Sequence, residues 1–326
     1  MQFKLKKLLV TGGAGFIGAN FIHYWQKHYP ESLIVNLDLL TYAGSLDNLA
    51  GLPHPDRHIF VQGDICDQAL VERLLQEHEI DTIVHFAAES HVDNSIKDPA
   101  IFVRTNVLGT HSLLEAARKA KCRFHHISTD EVYGTLGPND LPFTEATQYA
   151  PNSPYSASKA GSDHLVRAYH HTYGLAVTTS NCSNNFGPLQ HAEKFIPTVI
   201  RSCLEWHPIP VYGNGSNIRD WLYVEDHCAA IDLILRQGKI GDVYNVGGHN
   251  EWANIDIVKL ICDLFDELKP REQSYHSLIR FVTDRPGHDW RYAIDSTKLV
   301  KALHWSATMD FKAHLKRLVL LDLGII

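Results

Sequence analysis

Residues 11–18, Thr11-Gly12-Gly13-Ala14-Gly15-Phe16-Ile17-Gly18, decide the fold. They follow a short apolar strand, Leu8–Thr11, and open Phe16–His28, where apolar residues recur at helical spacing. Gly13, Gly15 and Gly18 fit Gly-x-Gly-x-x-Gly, while Gly12, Gly15 and Gly18 fit the Gly-x-x-Gly-x-x-Gly variant. Glycine there permits a tight turn and lets main-chain amides approach a pyrophosphate at the helix N-terminus. Alone the pattern is weak, because glycine turns are common. Here Asp38 ends the next strand, Leu33–Asp38, twenty residues after Gly18, where an acid would bind a ribose hydroxyl. Its charge would repel a 2′-phosphate, which favours NAD over NADP. Gly12, Gly15, Phe16, Ile17 and Gly18, with Asp38, Leu39, Leu40 and Thr41, are the expected first half of a cofactor site.

Working outward, the first half of the chain repeats strand and helix. Strands are expected at His58–Asp64, Thr82–Ala88 and Phe124–Ser128, with helices at Gln68–His78 and from Pro99 to about Ala120. Ser153 suits an N-cap and Pro154 the first helical position, so another helix should start just before Tyr155. This alternation implies an α/β, Rossmann-type doubly wound parallel sheet covered on both faces. After Asn185 the rhythm changes: Gly187-Pro188, Pro197, Pro208, Pro210, Gly213 and Gly215 break the chain into shorter pieces. Further helices are expected near Val224–Gln237, Ile255–Leu268 and Phe311–Leu323. The expected division is a cofactor-binding domain over 1–185, to which a segment near 218–246 returns, and a smaller substrate-binding α/β domain over 186–326. Substrate would lie in the cleft between them.

Composition sets the limits. The chain has 326 residues, enough for two domains or one large one, and its 44% apolar and 21% charged residues are ordinary for a globular protein. A formal charge of −7 argues against a nucleic-acid partner. No apolar run approaches the roughly 20 residues that span a bilayer. Met1–Lys7 is too short and polar for a secretory signal, so a cytoplasmic location is expected. Six scattered cysteines without a Cys-x-x-Cys pair fit reduced thiols, and the 21 histidines include no His-Glu-x-x-His; no protein-bound metal is expected.

The chemistry is concentrated in Thr129-Asp130-Glu131 and, downstream, Tyr155-Ser156-Ala157-Ser158-Lys159. A tyrosine four residues before a lysine shares a helical face with it. The ammonium there would favour the phenolate, because nearby positive charge stabilises an ionised acid. The Asp-Glu pair offers an acid and a base beyond what a plain alcohol dehydrogenase needs, since like charges held close resist ionising together. Oxidation coupled to loss of water is the reaction these residues suggest. In an open parallel sheet the carboxyl ends of strands face the ligand. Asp64-Ile65 and Phe86-Ala87-Ala88-Glu89-Ser90 are therefore candidates to line the adenine and nicotinamide ribose, although either segment could be merely a loop.

The Tyr-x-x-x-Lys helix after the fifth strand, with the glycine loop upstream, resembles the short-chain dehydrogenase/reductase superfamily. Longer stretches narrow the likeness. Ala87–Asp93, Ile127–Gly134, Asn181–Pro188, Arg219–His227 and Asp284–His288 resemble the dTDP-glucose 4,6-dehydratase family, over about Leu8 to Trp305. The resemblance implies that Tyr155, helped by Lys159, takes the proton of the sugar 4-hydroxyl while hydride leaves C4 for NAD, with Thr129 hydrogen-bonded to the same oxygen. Glu131 would then remove the C5 proton and Asp130, protonated, would donate to the departing 6-hydroxyl. Return of hydride to C6 gives a 4-keto-6-deoxy sugar. By the same resemblance Ser90, Asn184, Lys194, Phe195, Arg219, Asn254, Asp284, Arg285 and His288 would contact the nucleotide-sugar, with Pro210, Val211 and Tyr212 beside the base and Thr129 at the sugar. Phe86, Ala87, Ala88, Ser90, Thr105, Tyr155, Lys159 and Asn185 would join the cofactor contacts. Lys194 and Arg219 also suit a diphosphate on chemical grounds.

The family pairs helices near Pro99–Lys119 and Pro154–Tyr173 into a four-helix bundle, so a homodimer is expected, with Val107, Leu108, Leu113 and Leu114 as apolar surface unless the core claims them. Departures from the family pattern are Asn94 where arginine is frequent, Phe186 for a tyrosine, a short Thr135–Gln148 loop, and a chain that stops at Ile326, without a late tyrosine near the substrate. The rival readings are a 4,6-dehydratase, 4-epimerase or decarboxylase acting on a UDP- or other nucleotide-sugar, and a catalytically silent NAD-binding protein. Asp130 speaks against simple epimerisation, which expels no 6-hydroxyl. No cationic clamp for a C6 carboxylate stands out to support decarboxylation.

Overall fold

Strand β1 (Lys7–Thr11) runs apolar and buried into the glycine loop, where Gly12 takes φ +71° and leads into helix α1 (Phe16–His28). The computed structural model describes residues 5–308 and 310–326, so Met1–Lys7 falls partly outside the described residues. Strands β2 (Leu33–Asp38) and β3 (His58–Gln62) follow with no α-helix between them, then α2 (Gln68–Glu77) and β4 (Thr82–His85). Next come the short helices α3 (Val92–Lys97) and α4 (Pro99–Phe102), then α5 (Thr110–Ala120) and β5 (Arg123–Thr129). Helix α6 (Pro154–Tyr173) and β6 (Val177–Cys182) complete this half.

Strand β7 (Asn184–Phe186) opens the second half, followed by α7 (Phe195–Glu205), β8 (Ile209–Tyr212), β9 (Ile218–Tyr223), α8 (Val224–Gln237) and β10 (Val243–Val246). Strand β11 (Glu251–Ala253), α9 (Asn254–Leu268), β12 (Ile279–Val282), α10 (Thr297–Leu303) and α11 (Phe311–Asp322) end the chain. The large sheet has seven parallel strands in the order β3-β2-β1-β4-β5-β6-β10. One face is packed by α1 and α8 through Phe21, Ile22, Trp25, Cys228 and Ile231. The other is packed by α2, α5 and α6 through Val71, Leu74, Leu113, Leu114 and Val166. A doubly wound Rossmann-type sheet is thus what the sequence led us to expect. The chain returns to it through α8 and β10, while β9 pairs instead with β7 and β11 in a three-stranded sheet.

Two local readings change. Pro197 does not interrupt the chain but sits in the first turn of α7, where the missing N–H has no helical partner to lose. The long helix from Pro99 is not uniform: Val103–Gly109 widens into a π-helix between α4 and α5. Such a segment shifts side chains round the axis and is frequent at functional sites. It brings Thr105 to the cleft and buries Asn106 beneath it. Residues 186–326 contribute their own core, in which α7, α9 and α11 pack on the two small sheets through Ile196, Ile200, Trp221, Ile261, Phe265 and Leu315. Phe186 lies here, 1% exposed, edge-on to Trp221 and Tyr223 and against Phe311. A hydroxyl on that ring would enter an apolar core, so phenylalanine is the fitting residue.

Candidate active site

The carboxyl ends of β1, β2, β4, β5 and β6 open into one cleft, a cavity of about 300 Å³. Gly12, Gly15, Phe16, Ile17, Gly18, Asp38, Leu39, Thr41, Asp64, Phe86, Ala87, Ala88, Ser90, Thr105 and Asn185 all line it, as do Thr129, Asp130, Glu131, Tyr155, Lys159, Asn184 and Lys194. The glycine loop is shaped for a close ligand. A Cβ at Gly12 would meet Ala87 N at 2.6 Å, and one at Gly18 would meet Gly12 O at 2.3 Å. At Gly15 a Cβ would meet only Gly12 O, at 3.3 Å, because that position faces the cleft. Asp38 is fixed beside it, its two oxygens accepting from Ala14 N at 2.9 Å and Leu40 N at 2.8 Å. Bare backbone at a helix start with an acid at the end of β2 fits a dinucleotide.

The side chains of two expected cofactor residues, Leu40 and Ile65, and of two expected substrate residues, Val211 and Phe195, do not line the cleft. Leu40 stands outside the cleft with φ +56°. Ile65 is 4% exposed and packs in the core beside Gly109, and Val211 is 2% exposed in the second core, so neither offers a side chain to a ligand. The alternation along β8 explains Val211: Ile209 and Val211 face in, Pro210 and Tyr212 face out. Phe195 stacks on Trp221 rather than lining the cleft, and Asn254 opens α9. At Asp64, burial works against the carboxylate, but Cys66 N–H and Arg104, 2.7 Å away, outweigh it and hold its pKa below the usual range.

The reactive groups cluster where β5 stops. Thr129 caps a single helical turn, its Oγ1 accepting from Glu131 N, so the two carboxylates leave the sheet side by side. Asp130 is 1% exposed and Glu131 only partly buried. Burial, then Glu131 and Asp220, push the Asp130 carboxyl well above its usual value. Burial also raises Glu131, but Arg285, Arg219 and Lys194 pull it back. Asp130 is therefore the proton holder and Glu131 the stronger candidate carboxylate. Helix α6 begins with Ser153 and Ser156 in a capping box and Pro154 at the first position, which places Tyr155 at the helix entrance against the carboxylates.

Tyr155 is not the phenolate that the ammonium alone would suggest. Burial lifts its pKa well above the usual 10, Glu131 and Cys182 lift it further, and a hydrogen bond with Thr129 works the other way. Lys159 Nζ instead donates to Ile127 O at 2.7 Å.

Three cations approach from the second half of the chain. Lys194 Nζ donates to Ser90 O at 3.0 Å, Arg219 lies 4.3 Å over the Tyr292 ring and donates to Asp289 O, and Arg285 lies 3.6 Å from Asp93. His288 contacts Asp284 at 2.6 Å and meets Tyr212 edge-on. Asn184 Oδ1 is a buried acceptor with no partner among the described residues, open to a donor from a ligand. Sequence reasoning missed Ser183, Gln190, His191 and Gly44 in the lining, and Asn106 behind it. Asn106 exchanges two hydrogen bonds with the Glu89 main chain, at 2.9 and 3.0 Å, and so holds the loop after β4. Only its place beside Thr105 in the long helix could have pointed to it.

A Rossmann sheet, a dinucleotide cradle and a Tyr-x-x-x-Lys helix facing paired carboxylates define the class: an extended short-chain dehydrogenase/reductase. The model of the GDP-mannose 4,6 dehydratase family matches residues 9–318. The chain is 56% identical over 316 residues to dTDP-glucose 4,6-dehydratase of Xanthomonas campestris pv. campestris (strain B100), spanning 93% of this chain and 89% of that one. It is 51% identical over 331 residues to dTDP-glucose 4,6-dehydratase 1 of Escherichia coli (strain K12), spanning 96% and 91%. Among solved structures, DesIV of Streptomyces venezuelae, a dTDP-glucose 4,6-dehydratase with NAD bound, is 44% identical with a TM-score of 0.91, covering 96% of this chain and 95% of that one. UDP-glucose 4-epimerase of Thermotoga maritima shares the fold, TM-score 0.87, at 25% identity over 98% and 99% of the two chains. The chain belongs to the nucleotide-sugar 4,6-dehydratase family, among the dTDP-glucose 4,6-dehydratases.

Proposed function

We infer that this protein converts dTDP-glucose to dTDP-4-keto-6-deoxyglucose by transient oxidation at C4, elimination of water across C5–C6 and reduction at C6. The observation that carries the reading is the Asp130–Glu131 pair beside Tyr155, two neighbouring acids of unequal proton affinity. Tyr155, a neutral phenol among the protein groups alone, takes the proton of the sugar 4-hydroxyl as the phenolate that added positive charge from NAD would favour, and Thr129 orients that oxygen. Glu131, kept more acidic than Asp130 by three cations, removes the C5 proton that the new ketone has acidified. Asp130 donates its proton to the departing 6-hydroxyl. Lys159 supplies positive charge behind Tyr155. Gly12, Gly15, Gly18, Asp38 and the Phe86–Ser90 loop hold NAD. NAD, when bound there, would supply the hydride acceptor and donor for C4 and C6 and a positive charge beside Tyr155, and Glu131 returns its proton to C5 as C6 is reduced.

Lys194, Arg219 and Arg285 take the diphosphate, Asn184 the sugar side, and Tyr212 with His288 the base end. Residues 1–185 with α8 and β10 form the cofactor half, and the remainder of 186–326 the nucleotide-sugar half. The protein is a homodimer joined through α4, α5 and α6 in a four-helix bundle, and it works in the cytoplasm. Among the described residues no helix is long and apolar enough to cross a membrane.

The test is to incubate purified protein, with no added cofactor, with dTDP-glucose and separately with UDP-glucose, and to follow each mass. Loss of one water from the dTDP sugar alone supports the reading. Loss from the UDP sugar alone would keep the mechanism and replace the substrate. Neither, even with NAD supplied, would overturn it in favour of an epimerase or a silent binder.

A further inference from the structure

The pairing of Tyr155 with Lys159 leaves one buried acid on the same helix without a role. Tyr155, Lys159 and Asp163 follow at four-residue steps on α6 and so stack along one face. Asp163 is 6% exposed and does not line the cleft. Its Oδ2 accepts from Ser128 Oγ at 2.8 Å and from Tyr149 OH at 2.9 Å. Its Oδ1 lies 3.0 Å from His126 Nε2, off the line of a hydrogen bond. Lys159 is fastened to the same stretch of β5, through the Ile127 carbonyl between His126 and Ser128. One strand segment thus holds the ammonium by its main chain and the carboxylate by its side chains.

The charged and titratable groups around Asp163 are few. Helix α6 presents Lys159 and His164, β5 presents His126, the loop before α6 presents Tyr149, and Tyr133 stands behind Tyr149. His126 is fully buried and its pKa is pushed well below the usual 6.5, so it is neutral. Burial also works against the Lys159 ammonium, and Asp163 is foremost among the groups that favour it. Burial in turn raises Asp163 to about 6, with Lys159, Ser128 and Tyr149 opposing the rise. Above that pH the carboxylate is charged and supports the ammonium. Below it the support is lost.

We propose that Asp163 is a positioning residue for the reaction, whose carboxylate, held by Ser128 and Tyr149 one helical turn from Lys159, keeps charged the ammonium that the Ile127 carbonyl holds behind Tyr155. It touches neither sugar nor cofactor and acts only through Lys159. The inference rests on the proposed function, since it gives Lys159 its charge for that chemistry. Tyr149 is itself held from behind, accepting from Asn181 Nδ2 at 3.3 Å, while the same amide donates to Tyr133 at 2.9 Å. The support for Lys159 therefore reaches β6 as well.

The test compares wild type, Asp163→Asn and Tyr149→Phe by NAD content, circular dichroism and the pH profile of kcat on dTDP-glucose. Asp163→Asn keeps the shape of the side chain but removes its charge. The expected result is retained NAD, kcat lowered about tenfold, and an alkaline limb moved down by about one pH unit, because Lys159 then loses its proton more readily. Tyr149→Phe removes a donor to the carboxylate, which raises the Asp163 pKa, so the acid limb should move to higher pH. A folded Asp163→Asn enzyme whose profile overlays wild type overturns the proposal. If that variant does not fold, an unshifted acid limb in Tyr149→Phe overturns it instead. A wild-type enzyme that removes no water would sink the functional reading itself, and the inference with it.

Discussion

Lys194 Nζ donates a 3.0 Å hydrogen bond to the carbonyl of Ser90, joining residues 104 apart in sequence. Lys194 caps the start of α7, and Ser90 ends the loop after β4, so the bond ties the two halves of the chain together across the cleft. Burial lowers the lysine pKa, and Glu131 and Glu193 favour its charged form. A charge-assisted hydrogen bond contributes about 1.5–3 kcal/mol. Lys194→Met should therefore raise KM for dTDP-glucose by roughly ten- to hundredfold and change kcat less. Steady-state kinetics decide it, and an unchanged KM would remove Lys194 from the diphosphate site.

Asp130→Asn should cost dehydration about 10²–10⁴-fold, the usual contribution of a placed general acid. The same change should stabilise the fold at neutral pH. Asp130 binds its proton more tightly folded than unfolded, so its effect on stability turns unfavourable as pH rises above the ordinary 3.8. Its Oδ2 also lacks a hydrogen-bond partner among the described residues. Thermal midpoints should be higher for Asp130→Asn at pH 7, with the difference vanishing below pH 3.8. A midpoint lower than wild type at both pH values would show that the buried acid stabilises the fold.

Gly12→Ala should deplete the purified protein of NAD. The residue sits at φ +71°, and the new Cβ would lie 2.6 Å from Ala87 N and 2.7 Å from Ala87 Cα, both main chain. Main chain there belongs to β4's exit and cannot yield without reshaping the cofactor cradle. Extraction and quantification of bound dinucleotide is the measurement, and full NAD occupancy would contradict the cradle.

Buried histidines should make the fold acid-sensitive. His85, His125 and His126 are pushed well below 6.5 by burial, and His227 falls to about 3 for the same reason. The unfolded chain takes up protons at these sites below 6.5 while the folded chain does not. Stability is therefore fully present above 6.5 and declines as pH falls towards 3, each site contributing about 1.4 kcal/mol per pH unit. Chemical denaturation between pH 7.5 and 5.5 checks it. A flat profile would mean that these rings are charged or accessible.

Val103 and Leu108 are 50% and 57% exposed along the π-helix, beside the half-buried Val107. Leu113 and Leu114 are fully buried in the intramolecular core, so the dimer surface must rest on the former group. Leu108→Glu should convert the proposed dimer to monomer in light scattering at micromolar concentration. A monomeric wild type would rule out the bundle.

Much of this was legible before the structure. Phe16–His28, Leu33–Asp38 and Val224–Gln237 form where their periodicity places them, because strand and helix patterns are local. The sites of Ile65 and Val211 were not legible: Ile65 follows the cleft residue Asp64 and Val211 lies between the exposed Pro210 and Tyr212, and only packing against the two cores turns them inward. Pro197 was misread for a similar reason: a proline in the first helical turn and one in a loop look alike until the hydrogen bonds are known. The π-helix at Val103–Gly109 has no sequence signature comparable to the glycine loop.

By itself the sequence determined the doubly wound sheet, the glycine cradle, the acid at the end of β2 and the shared face of Tyr155 and Lys159. These depend on spacing within one segment, which the chain carries wherever it folds. Only the tertiary structure decided which of Asp130 and Glu131 holds its proton, why Tyr155 stays neutral among the protein groups alone, and that Asp163 stands behind Lys159. Proton affinity is set by burial and by charges within a few ångströms. In this cleft those charges, Asp220, Arg219, Arg285 and Lys194, arrive from segments far away in the chain.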